Sequence, residues 1–276
     1  MADSLSETKK AGGYFFGSNP IIRKLSRIEE TDAENSCTYS GIIVKLAYFM
    51  VMVLAGILLN AIMAGKWGGE VVTLSEGFTA TYNEIIALGI AALALIVAPI
   101  LAVFIKITIP VTGALFCAAT GFTVAWAGSK FGKEYASTIW LALLVTTVVV
   151  VLMGFLYFSG KVKVTKKFRT VLIVLFLGSI ASSIIVFILS LIPGTRPFVS
   201  SIMENGVFNI VASVLMIVIA SLFLLVDFDT IRRSVDDGLP KKYEWYASFG
   251  LAFSVIWLFF KILELISKLK GSKSKS

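Results

Sequence analysis

The chain has no histidine, and it is poor in cysteine and in charge. Without histidine there is no imidazole to act as a general base, to bind a metal or to titrate near neutral pH. The two cysteines, Cys37 and Cys117, stand far apart in the sequence, so neither a disulfide framework nor a zinc site is indicated. We therefore expect no cofactor, and the sequence identifies no metal.

Charged residues make up 15% of the 276 residues, against about 25% in an ordinary soluble domain. Hydrophobic residues make up 57%, and the mean hydropathy is +0.90. One soluble core cannot hide this much apolar surface, so we expect the chain to lie in a lipid bilayer. The net charge of +8 lies mostly in short stretches between apolar segments, which indicates membrane topology rather than nucleic-acid binding.

Seven segments are long and apolar enough to cross a bilayer as helices, for which about 20 residues are needed. They lie at roughly 41–64, 85–105, 110–129, 136–159, 170–192, 207–231 and 246–268. No long soluble segment interrupts the series. The sequence therefore predicts an all-α integral membrane protein, a seven-transmembrane-helix bundle.

The bundle is predicted to occupy residues 39–268, between a polar cytoplasmic N-terminal tail at 1–38 and a basic C-terminal tail at 269–276. The first 36 residues carry charges of both signs and lack the apolar centre of a signal peptide. We expect this tail to be soluble and largely flexible, with a short helix around residues 20–30.

Lysine and arginine placement predicts the orientation in the membrane. Fifteen fall on the side of the N-terminal tail: five in the tail, Lys106, five within 161–169 and four within 232–242. The opposite loops hold four, so the positive-inside rule places the N-terminus in the cytoplasm. Seven spans then place the C-terminus outside with four further lysines, an arrangement that a re-entrant last segment would avoid.

Few ionisable side chains fall inside the predicted spans. Asp227 and Asp229 close span six, and Lys261 and Glu264 lie within span seven. A charge near the bilayer centre costs at least about 2.5–3.5 kcal/mol, so such groups usually pair or face water and are functional candidates. Lys261 and Glu264 are three residues apart and can neutralise each other, or Asp227 can instead reach Lys261 across the interface between the spans.

The two aspartates point in different directions. At 100° per residue, Asp229 is turned about 200° from Asp227. Asp227 shares a helical face with Ile231, four residues on, so we expect it to point into the bundle. Asp229 is expected to face the wet interface beside Arg232 and Arg233.

Five stretches, in order, carry a resemblance to a known family. They are "CTYSGIIVKLA" (37–47), "IPVTGALFCAATGF" (109–122), "GKVKVTKKFRTVL" (160–172), "LVDFDTI" (225–231) and "GLPKKYEWYASFGLAFSVIWLFFKILELI" (238–266). Together with seven spans, they resemble the Bax inhibitor-1/YccA family, and its bacterial subgroup in particular. The resemblance implies a seven-helix fold, a pH-dependent calcium leak and residence in a bacterial plasma membrane.

The resemblance also implies a sensor in which an acid on span six and an acid on span seven share a proton and control a central pore. The span-six acid corresponds to Asp227. The span-seven position corresponds to 261, where this chain has Lys261, and Glu264 one turn on is a substitute acid. A lysine beside Asp227 would form a fixed ion pair in place of a shared proton.

Three functions are weighed on these residues. The leading one is a pH-sensitive calcium or cation leak gated near Asp227, with Lys261, Glu264 and Asp229 as the other site residues. The alternative is a non-conducting scaffold or regulator of another membrane protein, held by an Asp227–Lys261 ion pair. An aspartyl protease is disfavoured because both aspartates lie on one helical turn, so we expect no enzyme. The expected partners are the lipid bilayer, calcium and another membrane protein.

Overall fold

The computed structural model of the chain describes residues 35–75, 78–204 and 206–273. Within these residues it contains eight α-helices and one β-hairpin. They are α1 (Tyr39–Met63), β1 (Val71–Ser75), β2 (Phe78–Thr81), α2 (Tyr82–Phe104), α3 (Ile109–Lys130), α4 (Gly132–Phe158), α5 (Lys166–Leu191), α6 (Arg196–Glu204), α7 (Gly206–Asp236) and α8 (Tyr243–Lys273). The helix expected around residues 20–30 lies outside the described residues.

All the helices except α6 are long and apolar enough to cross a membrane. This confirms the predicted seven-span, all-α membrane architecture. The hairpin between α1 and α2 and the short helix α6 between α5 and α7 were not predicted. The hairpin is antiparallel, with Val71 opposite Thr81 and Val72 opposite Ala80.

Threonine side chains define where three of the spans begin. The Thr38 hydroxyl accepts the Gly41 N–H at the start of α1, and Thr165 accepts the Phe168 N–H at the start of α5. Thr81 and Glu84 form a reciprocal capping box at the start of α2. Each cap satisfies backbone N–H groups that a helix leaves without partners in its first turn.

The ends of the helices and the links between them lie on two opposite faces of the bundle. The basic face carries residues 35–38, 105–108, 159–165 and 237–242, and the hairpin face carries β1, β2, α6 and the C-terminal end of α8. On the basic face Ser36 forms an antiparallel bridge with Pro240. On the hairpin face the Lys270 amine lies 2.8 Å from the Thr138 hydroxyl at the start of α4. The helix α8 therefore runs through the whole bundle, and the re-entrant alternative is wrong.

Helix α3 lies at the centre of the bundle and α5 at its edge. In the most apolar 18-residue stretch of each helix, 56% of the α3 residues are buried but only 6% of the α5 residues. Two glycines let α1 and α3 approach until their backbones touch. A Cβ at Gly56 would overlap the Ala118 carbonyl, and a Cβ at Gly121 would overlap the Val53 carbonyl. Small residues at helix crossings provide this close packing in lipid.

Candidate functional site

The two aspartates of span six lie near the basic-face end of α7, and each faces a different neighbouring helix. Helix α7 packs against α4 and α5 on one side and against α8 on the other. Because the two side chains are about 200° apart around the helix axis, one turn of α7 presents a carboxylate to each side.

Asp229 faces α4 and α5 and is 6% exposed. Its Oδ2 accepts hydrogen bonds from Arg169 Nη2 at 3.1 Å and from Arg233 Nε at 2.7 Å. The Tyr157 hydroxyl lies 3.3 Å from Oδ1. Asp229 lies beside Arg233, as expected, but its carboxylate is not open to water, because the start of α5 brings Arg169 over this side of α7 and covers it.

Asp227 points towards α8, inside the bundle. Its Oδ1 lies 3.5 Å from where a Cβ of Gly250 would be, and the Ser254 hydroxyl of α8 faces the same carboxyl group. Its Oδ2 is buried and has no hydrogen-bond partner among the described residues. The charged side chain that acts on it electrostatically is Arg169 of α5. Asp227 is thus a half-buried residue with one carboxyl oxygen that is buried and unsatisfied.

Lys261 and Glu264 lie elsewhere, towards the hairpin face. The Lys261 amine lies 2.9 Å from Glu264 Oε2, and the Lys268 amine lies 2.6 Å from Glu264 Oε1. The Lys268 amine also contacts the Ser213 hydroxyl of α7 at 2.9 Å. Of the two pairings considered from the sequence, Lys261 therefore forms the one within its own helix.

The predicted Asp227–Lys261 ion pair is wrong, and so is the assignment of position 261 as the span-seven partner. Lys261 lies seven residues beyond Ser254 and eleven beyond Gly250, which is about 10 to 16 Å along the helix axis. The position on α8 that faces Asp227 is Ser254, so a hydroxyl stands where the resemblance implied a second acid. No paired carboxylate forms around Asp227 in the described part of the chain.

The antiparallel pairing of α7 and α8 explains why Asp227 faces Gly250 and Ser254. Antiparallel helices bring together residues that are equally far from the link between them. Asp227 lies nine residues before the end of α7 at Asp236, and residue 252 lies nine residues after the start of α8 at Tyr243. Position 252 falls between Gly250 and Ser254. Counting from the link would therefore have found the right neighbours from the sequence.

A third buried acid, Glu244, was missed in the sequence. It is 0% exposed and forms an ion pair with Lys45. Its Oε1 accepts hydrogen bonds from the Thr38 N–H at 3.0 Å and from the Thr38 hydroxyl at 3.2 Å. Gly41 makes room for it, since a Cβ at that position would overlap the carboxylate. Lys45 is the sequence feature that could have revealed Glu244, because a lysine inside span one needs an acid nearby.

The Glu244 contacts belong to a junction between residues 35–38 and the link from α7 to α8. Backbone hydrogen bonds run from the Cys37 N–H to the Leu239 carbonyl at 2.6 Å and from the Lys241 N–H to the Asn35 carbonyl at 2.7 Å. The chain before α1 is thus joined to the two helices that carry Asp227 and Ser254.

A preformed metal centre is not part of this arrangement. Within the described residues, no group of three or more histidine, cysteine, aspartate or glutamate side chains comes together. A cation next to Asp227 would meet one carboxylate and the Ser254 hydroxyl. Such a site does not have the six to eight oxygens of a tight calcium site.

The model of the Bax inhibitor 1 like family matches residues 19–271. The chain belongs to the Bax inhibitor 1 like family. The match covers all seven spans and confirms the resemblance seen in the five stretches at the family level. No curated protein and no solved structure matches the chain. The bacterial subgroup, the channel activity and the calcium leak therefore stay predictions.

Proposed function

We propose that this Bax inhibitor 1 like protein is a pH-sensitive leak for calcium or another cation, and that Asp227 is its titrating group. The observation that supports the proposal is the buried Oδ2 of Asp227, which has no hydrogen-bond partner among the described residues. A buried carboxylate is costly unless it is paired, hydrogen-bonded or protonated. A proton or a passing cation would remove that cost.

The groups around Asp227 determine how it would respond to pH. Tyr246 and Ser254 lie near it on α8, and the charge of Arg169, whose guanidinium group is bonded to Asp229, acts on it from the α5 side. None of these is a second carboxylate, so the shared proton of a carboxylate pair has no counterpart here. We expect the leak to follow the titration of a single group, with a shallower pH dependence than a coupled pair would give.

The same surroundings bear on the choice of ion. A single carboxylate with an arginine nearby attracts divalent cations less strongly than a pair of acids would. Lys261 adds little to this repulsion at Asp227, because its amine is held by Glu264 about two to three helical turns from the α8 residues that face Asp227. Calcium conduction is therefore retained in the proposal, with a weak preference over monovalent cations.

The orientation is part of the proposal. The positive-inside rule places the basic face in the cytoplasm, which puts the Asp227 end of α7 near the cytoplasmic boundary. We infer that Asp227 senses cytoplasmic pH, in a bacterial plasma membrane if the subgroup resemblance holds.

The test is ion flux in proteoliposomes that contain the full chain, measured with entrapped calcium and potassium dyes over a series of external pH values. The wild-type protein is expected to show flux with one pH transition, and Asp227→Asn is expected to abolish that transition. Asp236→Asn is the matched control, since Asp236 is on the same helix but is about half exposed and pairs with Arg232. The control should keep the transition.

A second variant probes the position opposite Asp227. Ser254→Asp would place two carboxyl groups together, and like charges disfavour ionisation of both. The pH transition should then move to higher pH and involve more than one proton. Wild-type flux that Asp227→Asn leaves unchanged would contradict the proposal. Absence of flux in the wild-type protein would favour a non-conducting scaffold, although without the Asp227–Lys261 ion pair first expected for it.

A further inference from the structure

A cleft lies on the basic face, on the other side of α7 from Asp227. It is bounded by the end of α4, the link to α5 and the last turns of α7, and its volume is about 530 Å³. We call it the α4–α5 cleft. Its charged and aromatic wall residues are Tyr157, Lys163, Lys166, Asp229, Arg232 and Arg233. The apolar helices α4 and α5 meet the aqueous links here, so the cleft lies at the level of the lipid headgroups.

The cleft has a strong positive excess. Four cationic side chains line it against a single carboxylate, Asp229, and that carboxylate is already bonded to two arginines. Among the described residues, Arg232 forms an ion pair with Asp236, whose side chain is 51% exposed, so water screens this pair. Lys163 forms no ion pair within the described residues. The cleft therefore carries more positive than negative charge, and this excess attracts an anion.

The types of residue suit a phosphate group. A guanidinium group can donate two parallel hydrogen bonds to phosphate oxygens, and lysine amines add mobile point charges. The N-terminus of α5 opens at the same place, because Thr165 and Lys166 both line the cleft and the Thr165 hydroxyl accepts the Phe168 N–H at 3.1 Å. The positive end of the helix dipole adds to the side-chain charges.

We propose that the α4–α5 cleft is a binding site for the phosphate group of an anionic lipid. The ligand chemistry is a phosphate oxyanion held by Lys163, Lys166 and Arg232. The position of the cleft favours a lipid headgroup over free phosphate as its source, because Phe155 and Phe158 of α4 stand exposed on the adjoining apolar surface where acyl chains would lie. Basic pockets at the cytoplasmic ends of membrane helices are suited to such headgroups. The site does not depend on cation leak.

The test uses the full-length protein, purified in detergent and titrated with phosphatidylglycerol or phosphatidylcholine, with bound lipid counted by native mass spectrometry. We expect the wild-type protein to bind phosphatidylglycerol about tenfold more tightly than phosphatidylcholine, and added salt to reduce the difference. The variant Lys163→Gln/Lys166→Gln is expected to lose about tenfold in phosphatidylglycerol affinity.

The matched control is Lys241→Gln/Lys242→Gln. It removes the same charge from the same face, but both lysines are exposed and neither lines the cleft. It should bind phosphatidylglycerol within about twofold of the wild type, since charges outside a site act only through a screened field. Equal losses in the two double variants, or no preference for phosphatidylglycerol, would overturn the proposal.

A third arm distinguishes the source of the phosphate. Inorganic phosphate is titrated against the wild-type protein, with the shift in thermal unfolding temperature as the readout. Little shift at millimolar concentration is expected, because free phosphate gains nothing from the apolar surface beside the cleft. A clear shift that Lys163→Gln/Lys166→Gln removes, without any phosphatidylglycerol preference, would overturn the assignment to lipid.

Discussion

Asp227 and Asp229 lie on the same turn of α7, and their surroundings differ in kind. Asp229 accepts hydrogen bonds from two guanidinium groups and lies beside a tyrosine hydroxyl. Asp227 faces a glycine and a serine and has a buried oxygen without a hydrogen-bond partner in the described part of the chain. The charge of Asp229 is neutralised by ion pairs that join α5 to α7. Asp227 has a charge that the fold does not satisfy, and so it is the better candidate for function.

Glu244 extends the comparison to α8. It is as deeply buried as Asp229 and, like it, is surrounded by donors: Lys45 and two groups of Thr38. The two acids near the basic face that are most deeply buried, Asp229 and Glu244, are thus structural. The difference shows that burial alone does not mark a functional acid in a membrane protein, and that the partners have to be counted as well.

The largest effect is expected from Glu244→Gln, which tests whether a buried acid with partners is structural. The change leaves the Lys45 amine, 15% exposed, without its counter-charge. We expect the free energy of unfolding to fall by about 3 kcal/mol. Thermal unfolding in detergent measures this, with Glu134→Gln, at an exposed acid in α4, as the control.

A second variant separates the ion pair from general disruption of the junction. Gly41→Ala introduces a Cβ that overlaps the Glu244 carboxylate and should also lower the unfolding temperature. If Glu244→Gln has no more effect than Glu134→Gln, Glu244 does not hold the junction and the comparison with Asp227 fails.

The most direct measurement compares Asp229→Asn with Asp227→Asn, and we expect only Asp229→Asn to lower the stability. Asp229→Asn loses two charge-assisted hydrogen bonds, so the free energy of unfolding should fall by about 2 kcal/mol. Asp227→Asn replaces an unsatisfied carboxylate by a neutral amide, so stability should be retained or should rise by up to about 1 kcal/mol. Both are read from thermal unfolding at neutral pH. Equal losses in the two variants would show that Asp227 has a structural partner.

The smallest effect concerns Cys37, which reports on the junction around Glu244. Burial, with the nearby Glu244 charge as the second cause, raises the pKa of the Cys37 thiol to about 11. Only the thiolate reacts readily, so at pH 7 roughly one thiol in ten thousand is reactive. Maleimide labelling should be slow at pH 7 and should speed up roughly tenfold per pH unit up to the pKa.

Glu244→Gln should accelerate this labelling, because it removes a charge that raises the thiol pKa and loosens the segment that covers it. Cys37→Ser serves as the control, since any label that it still takes up comes from Cys117. Complete labelling of the folded wild-type protein within minutes at pH 7 would show that Cys37 is not enclosed by the junction.

The sequence predicted much of the fold because apolar length is a local property. Seven segments longer than a bilayer is thick could form only helices, and the structure has them within a few residues of the predicted bounds. The inward direction of Asp227 followed from its spacing to Ile231. The hairpin of β1 and β2 and the helix α6 lie in links where length and hydropathy give no signal, and they were missed.

The candidate site was predicted only in part, because pairing depends on register between helices. Lys261 was considered as a partner of Asp227 because both are charged groups within neighbouring spans and because the family resemblance implied it, although counting from the link points to Gly250 and Ser254. Asp229 was expected to face water because the sequence does not show that Arg169 would lie over it. Glu244 was passed over because it begins a span, where an acid is usually solvated.

Length, apolar content and the spacing of charges along the chain determined by themselves that this protein is a seven-helix membrane bundle with two differently charged faces. These features act within one helix at a time, since each span satisfies its own backbone in lipid. Only the tertiary structure decided which carboxylates are satisfied. Partners for Asp229 and Glu244 come from segments 60 and about 200 residues away in sequence, and none reaches Asp227 Oδ2 from the described residues.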